Sequence, residues 1–395
     1  MSISIDQEYL IETLVAIVRI NSINPTLVPG APGEAEIGDY VAAAMRDLGL
    51  EVRLTELEPS RVNAVGKLVG QGNRFGPSDR SLLLNAHMDT VGVTGMTIDP
   101  FGAEIKDGRL YGRGSYDMKA SLAAMLAAVK ALQDGGVTLA GDLWLTAVAD
   151  EEALSIGSAA VAQEITADGV IVTEPTHFDI CRAHRGFIWY EVETIGRAAH
   201  GSRFQEGIDA NMRMGRFLAE LDKLEQDLRG REPHELAGPP SLHAALLHGG
   251  TELSTYAANC VLQLERRTIP GETEAGARRE LQAIIDELAR SDETFQASVK
   301  PFFQRNPYSV AVDAPIIQTL EEVVTAHFGQ PPAHVGATFW TDAALFAEAG
   351  MDAVLLGPTG DGAHSAVEWV DLQSAVDLAQ ILAETAVRFC GTVSK

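Results

Sequence analysis

At 395 residues the chain is too long for one small domain and suits two; with 46% hydrophobic and 22% charged residues it matches globular averages, which excludes a disordered or fibrous protein. Lysine and arginine number 30 against 55 aspartates and glutamates, and a net charge of −25 repels a phosphate backbone or an anionic lipid surface, so neither nucleic acid nor membrane is expected as a partner. The three cysteines, Cys181, Cys260 and Cys390, lie far apart without CxxC spacing, which gives no disulfide framework and no thiolate zinc cluster and suits a reducing compartment.

The first residues carry acids where a signal peptide carries bases, and their apolar positions follow a helical rhythm. The longest apolar stretch, 120–129, is well short of the roughly 20 residues of a membrane span. A cytoplasmic protein is expected. Strand-length apolar runs follow at 82–86, 142–149 and 169–173, with a helical pattern at 119–133. Strands apolar along their whole length and separated by helices predict an α/β domain with a mostly parallel sheet covered on both faces.

From Arg185 the rhythm changes. Residues 187–196 alternate, 209–229 are amphipathic, 241–250 and 258–269 are strand-like, 272–291 are helical and 294–303 alternate again. This βαββαβ order is that of a ferredoxin-like unit, an antiparallel sheet with helices on one face. The Pro-rich stretch 233–240 reads as a surface loop within it. After Pro307 the first rhythm returns, with helices at 315–328 and 342–349 and an apolar strand at 353–356. The predicted division is therefore 1–182, an inserted 183–304, and 305–395.

Four clusters of potential metal ligands fall at the carboxyl ends of the predicted α/β strands or in the loops that follow, the end where open α/β sheets bind ligands. They are His87 with Asp89, the triplet Asp150-Glu151-Glu152, Glu174 before a proline, and His364 in the loop Gly360-Asp361-Gly362-Ala363-His364-Ser365. His87 and Asp89 face the same way on an extended segment, so Asp89 can take one ring nitrogen and leave the other for a metal; the bland alternative is a satisfied core histidine. Asp117, in Gly112-Arg113-Gly114-Ser115-Tyr116-Asp117-Met118-Lys119, follows a Gly-rich turn opening a helix and taken alone is an ordinary first-turn acid. The same stretch fails as a dinucleotide fingerprint because Asp117 replaces the third glycine. Three adjacent acids at 150–152 repel one another unless cations offset them or the turn is solvated. Two histidines with three or four carboxylates suit zinc, manganese or cobalt. Two divalent ions balance Asp117, Glu152 and Glu174 with a shared hydroxide, leaving Glu151 as a base.

Taken in order, these segments resemble the co-catalytic metallohydrolase family of acetylornithine deacetylase, succinyl-diaminopimelate desuccinylase, aminoacylase and carboxypeptidase G, over nearly the whole chain. The resemblance implies a zinc-exopeptidase-like catalytic domain carrying two ions, zinc first and cobalt or manganese next, with His87 and Glu174 on one, Glu152 and His364 on the other, and Asp117 between them. It further implies that Asp89 orients His87, that Glu151 is general base and acid, and that the Asp117–Met118 peptide bond is cis. The inserted domain resembles the family's lid and dimerisation domain. Ala199-His200-Gly201-Ser202 resembles the lid motif whose histidine steadies the oxyanion from a neighbouring subunit, which implies a homodimer. Asn259 and Arg267 occupy substrate-holding places, with Arg266 an alternative to Arg267 because the local pattern departs from the family form; Thr341-Asp342 matches a dipeptide beside the metals. The implied activity is hydrolysis of the amide of a small N-acyl amino acid with a free carboxylate. A dipeptidase or glutamate-type carboxypeptidase, or a non-catalytic metal-binding relative, is the alternative.

Overall fold

The computed structural model describes residues 3–72 and 79–393. They form two compact units, Met1–Arg182 with Val310–Val335 and Thr341–Lys395, and Ala183–Ser309 with Gly336–Trp340. Among the described residues no helix is long and apolar enough to cross a membrane.

The first unit is built on a mixed sheet whose centre is four parallel strands, in the order Leu143–Val148, Leu82–His87, Gly169–Val172 and Ala353–Leu355. All six residues of Leu82–His87 and all four of Gly169–Val172 are buried, so both faces of the sheet are covered and the apolar runs seen in the sequence are explained. Antiparallel strands flank this centre: the hairpin Glu51–Glu58 and Arg61–Leu68 on one side and Ile180–His184 on the other. Helix Ala120–Asp134, rich in alanine and buried along most of its length, packs with Leu372–Cys390 and Gln7–Arg19, while Ile156–Glu164 packs with Ala343–Glu348. Its small side chains allow close approach to neighbours on several sides. A separate four-stranded sheet, Glu104–Lys106, Arg109–Tyr111, Trp369–Asp371 and Gly360–Asp361, joins two loops far apart in the chain.

One expectation changes in this unit, the implied cis bond is present, and a helix and a hairpin appear that were not expected. The helix predicted from residue 119 is preceded by a wide π-type turn, Ser115–Lys119, in which Asp117 and Met118 have non-helical dihedrals and are joined by a cis peptide bond. Asp117 is thus displayed by irregular backbone and is no first-turn helix acid. The helix Ala35–Asp47 and the hairpin after it had no strong apolar run to reveal them; Glu51–Glu58 is half exposed.

The second unit has the predicted βαββαβ order. Its antiparallel sheet runs Ser241–Gly249, Asn259–Thr268, Gly186–Ile195 and Gln296–Arg305, the order second, third, first, fourth, with helices Ala210–Gly230 and Glu274–Ser291 packed on one face. The helices begin where short polar side chains cap them: the Asp209 carboxylate accepts the Asn211 and Met212 N–H groups, and the Thr273 hydroxyl accepts the Gly276 N–H. Tyr190, Val192, Phe217, Leu262 and Leu264 form the core between layers. Strand parity puts Arg266 on the helix-covered face with Leu262 and Leu264, where it is 2% exposed and bonded to Glu272 at 2.6 Å, and puts Arg267 on the open face. The Pro-rich stretch is a loop, yet it is not wholly superficial. Ala237 is buried and its carbonyl accepts from Arg185 Nε at 2.7 Å.

Because Phe217 is fully buried between the helices and the sheet, Phe217→Ala is expected to cost about 3–5 kcal/mol, seen as a lower urea midpoint at unchanged slope.

Candidate metal centre

Every parallel strand of the central sheet ends at, or leads to, one piece of the site. His87 is the last residue of its strand, and the registry of His87 with Val148 sets the segments that follow both strands side by side. Glu174 follows Gly169–Val172, and the chain after Ala353–Leu355 reaches His364, whose φ of 60° turns the loop back toward the strand ends.

Asp117 stands at the middle. One of its oxygens, Oδ1, lies 3.1 Å from His87 Nε2, and the other, Oδ2, lies 3.3 Å from His364 Nε2. Glu174 Oε1 is 3.7 Å from His87 Nε2, and Glu152 Oε2 is 2.9 Å from His364 Nε2. The geometry therefore separates into His87 with Glu174 and His364 with Glu152, each imidazole facing its own Asp117 oxygen. Ligand atoms of His87, Asp117 and Glu152, and likewise of His87, Glu151 and Glu174, lie within 4.8 Å of one another. Glu151 Oε2 lies 4.0 Å from His87 Nε2, farther than Asp117 and Glu174.

These are four carboxylates and two imidazoles in one cleft, and their ionisation shows the crowding. Burial, then the charge of Glu174, pushes Glu151 well above the ordinary carboxyl range; burial and then Asp117 do the same for Glu174, and raise Glu152 less. Burial alone would lower the His87 ring, but the Asp117 hydrogen bond and the charges of Glu174 and Asp89 outweigh it and raise it well above its usual value. His364, bonded to Asp117 and Glu152, is pushed up to about 10. Burial would raise Asp117, but bonds from His364 and His87 hold it well below the usual range. Asp342, fully buried, is raised to about 6 chiefly by burial, and its charge adds to the raise at Glu151 and Glu174. A set of nitrogen and oxygen donors with surplus negative charge in a cleft buried at His87 and Glu174 and open at His364 has the chemistry that borderline divalent cations bind.

Asp89 differs from the expectation. His87 Nδ1 donates to the Asp89 main-chain oxygen at 2.9 Å, while the Asp89 carboxylate is 3.6 Å from that nitrogen. The carboxylate instead accepts the Glu151 N–H at 3.1 Å, the Glu152 N–H at 3.2 Å and the Asn24 side-chain amide at 2.8 Å. It anchors the backbone of the acidic turn, and the peptide oxygen orients the ring. The triplet also divides by role. Asp150, with φ of 71°, points away to a buried ion pair with Arg61 at 2.7 Å, and Arg61 is in turn bonded to Glu34 at 2.7 Å. Only Glu151 and Glu152 face the cluster.

The other predicted residues belong to the second unit. His200 is exposed, and its Nδ1 accepts the Ser202 N–H at 3.2 Å, which leaves the ring proton on Nε2. Asn259 is exposed at the start of its strand. Arg267 Nε is 3.0 Å from Glu265, and its guanidinium lies 5.5 Å from the Phe187 ring. Sequence reasoning missed Asn24, Glu34, Arg61 and Glu368, since each is a single polar residue with no motif around it. A buried carboxylate with backbone donors, such as Glu368, leaves no periodic trace.

Residues 83–388 match peptidase family M20/M25/M40. The chain is 30% identical to an acetylornithine deacetylase of Myxococcus xanthus over 361 residues, 89% of this chain and 92% of the relative. Among solved structures it is similar to an aminopeptidase of Bacillus cereus, with a TM-score of 0.80 at 19% identity over 98% of this chain and 99% of the other. It is also similar to a dinuclear metal-binding M20 peptidase of Bacillus subtilis, with a TM-score of 0.73 at 15% identity over 98% and 99%. By its matched length and by this relative, the chain belongs to peptidase family M20/M25/M40 and is a hydrolase of amide bonds.

Proposed function

We propose that this protein hydrolyses the amide bond of a small N-acyl amino acid, in the manner of an acetylornithine deacetylase, with a bound pair of divalent ions. The observation that carries the reading is the pairing of the two Asp117 oxygens with two different imidazoles, at 3.1 and 3.3 Å, each imidazole also beside its own glutamate. His87 and Glu174 would hold one ion, His364 and Glu152 the other, and Asp117 both, with zinc the first choice and cobalt or manganese the next. Ions held there would lower the pKa of a water in the cleft and polarise the scissile carbonyl. Glu151, outside both ligand groups, takes the proton of the attacking water and returns it to the leaving amine. Burial and the neighbouring charge of Glu174 raise its pKa, which is the direction that suits a carboxyl giving a proton back.

In the second unit we assign His200 to the oxyanion, since a ring accepting at Nδ1 has Nε2–H to donate. Arg267, with Asn259, is assigned to the substrate carboxylate. Its open-face position beside Phe187 supports that, whereas Arg266 is committed to Glu272 and Glu280 at 2.6 and 3.5 Å. This unit, with bounds near 183–304, would act as lid and dimerisation domain of a cytoplasmic homodimer. Support comes from its edge strand Ser241–Gly249, exposed along most of its length with Leu246 and Leu247 at the surface, an edge that invites pairing with a second copy. A dipeptidase or carboxypeptidase would use the same centre and differ in whether the acyl side must carry a free amine.

Stripping the protein with chelator is expected to abolish hydrolysis of N-acetyl amino acids, with recovery on adding zinc, manganese or cobalt; full activity in rigorously metal-free protein would refute the metal reading. A panel of N-acetyl, N-succinyl and N-formyl amino acids beside dipeptides separates deacylase from peptidase. Glu151→Ala should lower kcat by about 10²–10⁴-fold while metal content stays at the wild-type level. Metal binding is expected to release protons and to tighten as pH rises: the raised pKa values of His87, His364, Glu151 and Glu174 mean that protons occupy the site at low pH and must leave before cations enter. Calorimetric titrations at pH 6 and pH 8 in buffers of different ionisation enthalpy measure both effects.

A further inference from the structure

Glu368 is fully buried, and each of its oxygens accepts two hydrogen bonds. Oε1 accepts the Tyr116 N–H at 3.0 Å and the Asp117 N–H at 3.1 Å; Oε2 accepts the Gly114 N–H at 3.0 Å and Arg113 Nη1 at 2.6 Å. Three peptide N–H groups of one short segment converge on one carboxylate, which thus serves as the anion of a backbone nest. That nest exists because Gly114 has a φ of 77°, a left-handed conformation that suits glycine. Arg113 extends the link. Its Nη2 donates to the Ser365 carbonyl at 3.1 Å, next to His364, and the Gly112 N–H donates to the Glu368 main-chain oxygen at 3.1 Å. The Asp117 segment and the His364 segment, at opposite ends of the chain, are therefore fastened by one buried ion pair and its amide bonds.

We propose that Glu368 is a positioning residue of the metal centre: it fixes the backbone at Asp117 and, through Arg113, holds Asp117 and His364 in register with each other. The inference rests on the assignment of those two residues as ligands. Ligand positions set to a fraction of an ångström decide cation affinity, and partners of the ligands are worth about 10–100-fold in it. Glu368 supplies this without touching substrate. A carboxylate is needed because every donor around it is an N–H; the amide of glutamine would set an NH₂ against two of them whichever way it turned.

The test uses full-length protein stripped of metal, titrated with cobalt(II) and followed by calorimetry and by visible absorption. Wild-type protein binding fewer than two ions would overturn the metal assignment itself, a result separable from failure of this proposal. With two ions bound to the wild type, Glu368→Gln is expected to weaken the more weakly held ion about 10–100-fold and to shift the cobalt absorption bands. A role confined to stability would lower the melting temperature and leave the affinity and spectrum of folded protein as in the wild type; that result overturns the proposal. Should Glu368→Gln fail to fold, Arg113→Lys keeps the amide nest and removes the fork to Ser365. It is expected to weaken cobalt binding about 10-fold, and wild-type affinity in it overturns the proposal equally.

Discussion

A partly buried carboxylate with an imidazole on each oxygen organises this protein. Asp117 meets His87 and His364 through separate oxygens, and the two glutamates beside those rings, Glu174 and Glu152, make mirror-like halves of one cleft. Holding so many acids together costs free energy that packing must supply, and much of the first unit can be understood as that supply. The parallel strands deliver His87, the 150–152 turn and Glu174 to one end of the sheet, and the small second sheet brings the His364 loop to them. Around this lie polar groups that never face the cleft. The Asp89 carboxylate clamps two peptide N–H groups of the acidic turn, and Arg61 draws Asp150 and Glu34 away into a buried pair. Removing charge from one side is as much part of the design as gathering it on the other.

Much of this was legible in the sequence. The wholly apolar strands announced themselves because both faces of the sheet are covered, and the βαββαβ rhythm did so because the second sheet is covered on one face only. The acids and histidines stood out because they end those strands. What stayed hidden had no period to betray it. Asp117 looks like an ordinary helix-opening acid until the turn Ser115–Lys119 is seen to be irregular. Asp89 has the spacing of a carboxylate that orients a histidine, yet on the chain it is the peptide oxygen that reaches the ring and the carboxylate that serves the neighbouring turn. Spacing tells which residues are close; it does not say which atom of each is used.

Arg266 and Arg267 show a case where strand parity assigns the face. Leu262 and Leu264 mark the covered face, so position 266 is inward and 267 outward before any contact is considered. An arginine on the inward side needs an acid, and Glu272 with Glu280 provides one from the turn and helix that follow. The outward arginine instead pairs with Glu265 at 3.0 Å on the open face, its guanidinium 5.5 Å from the Phe187 ring.

The strand Ala353–Leu355 lies inside the large sheet, between Gly169–Val172 and Ile180–His184, although the ribosome makes it after every residue of the inserted unit. The second unit, continuous but for a short segment, has its strands and helices made before that strand. The first must wait with a gap in its sheet. Until that late strand arrives, two edges that end up buried stand open and the histidine that follows it is missing, so on the ribosome the smaller unit can close while the larger still has a gap in its sheet, the kind of open edge that invites association.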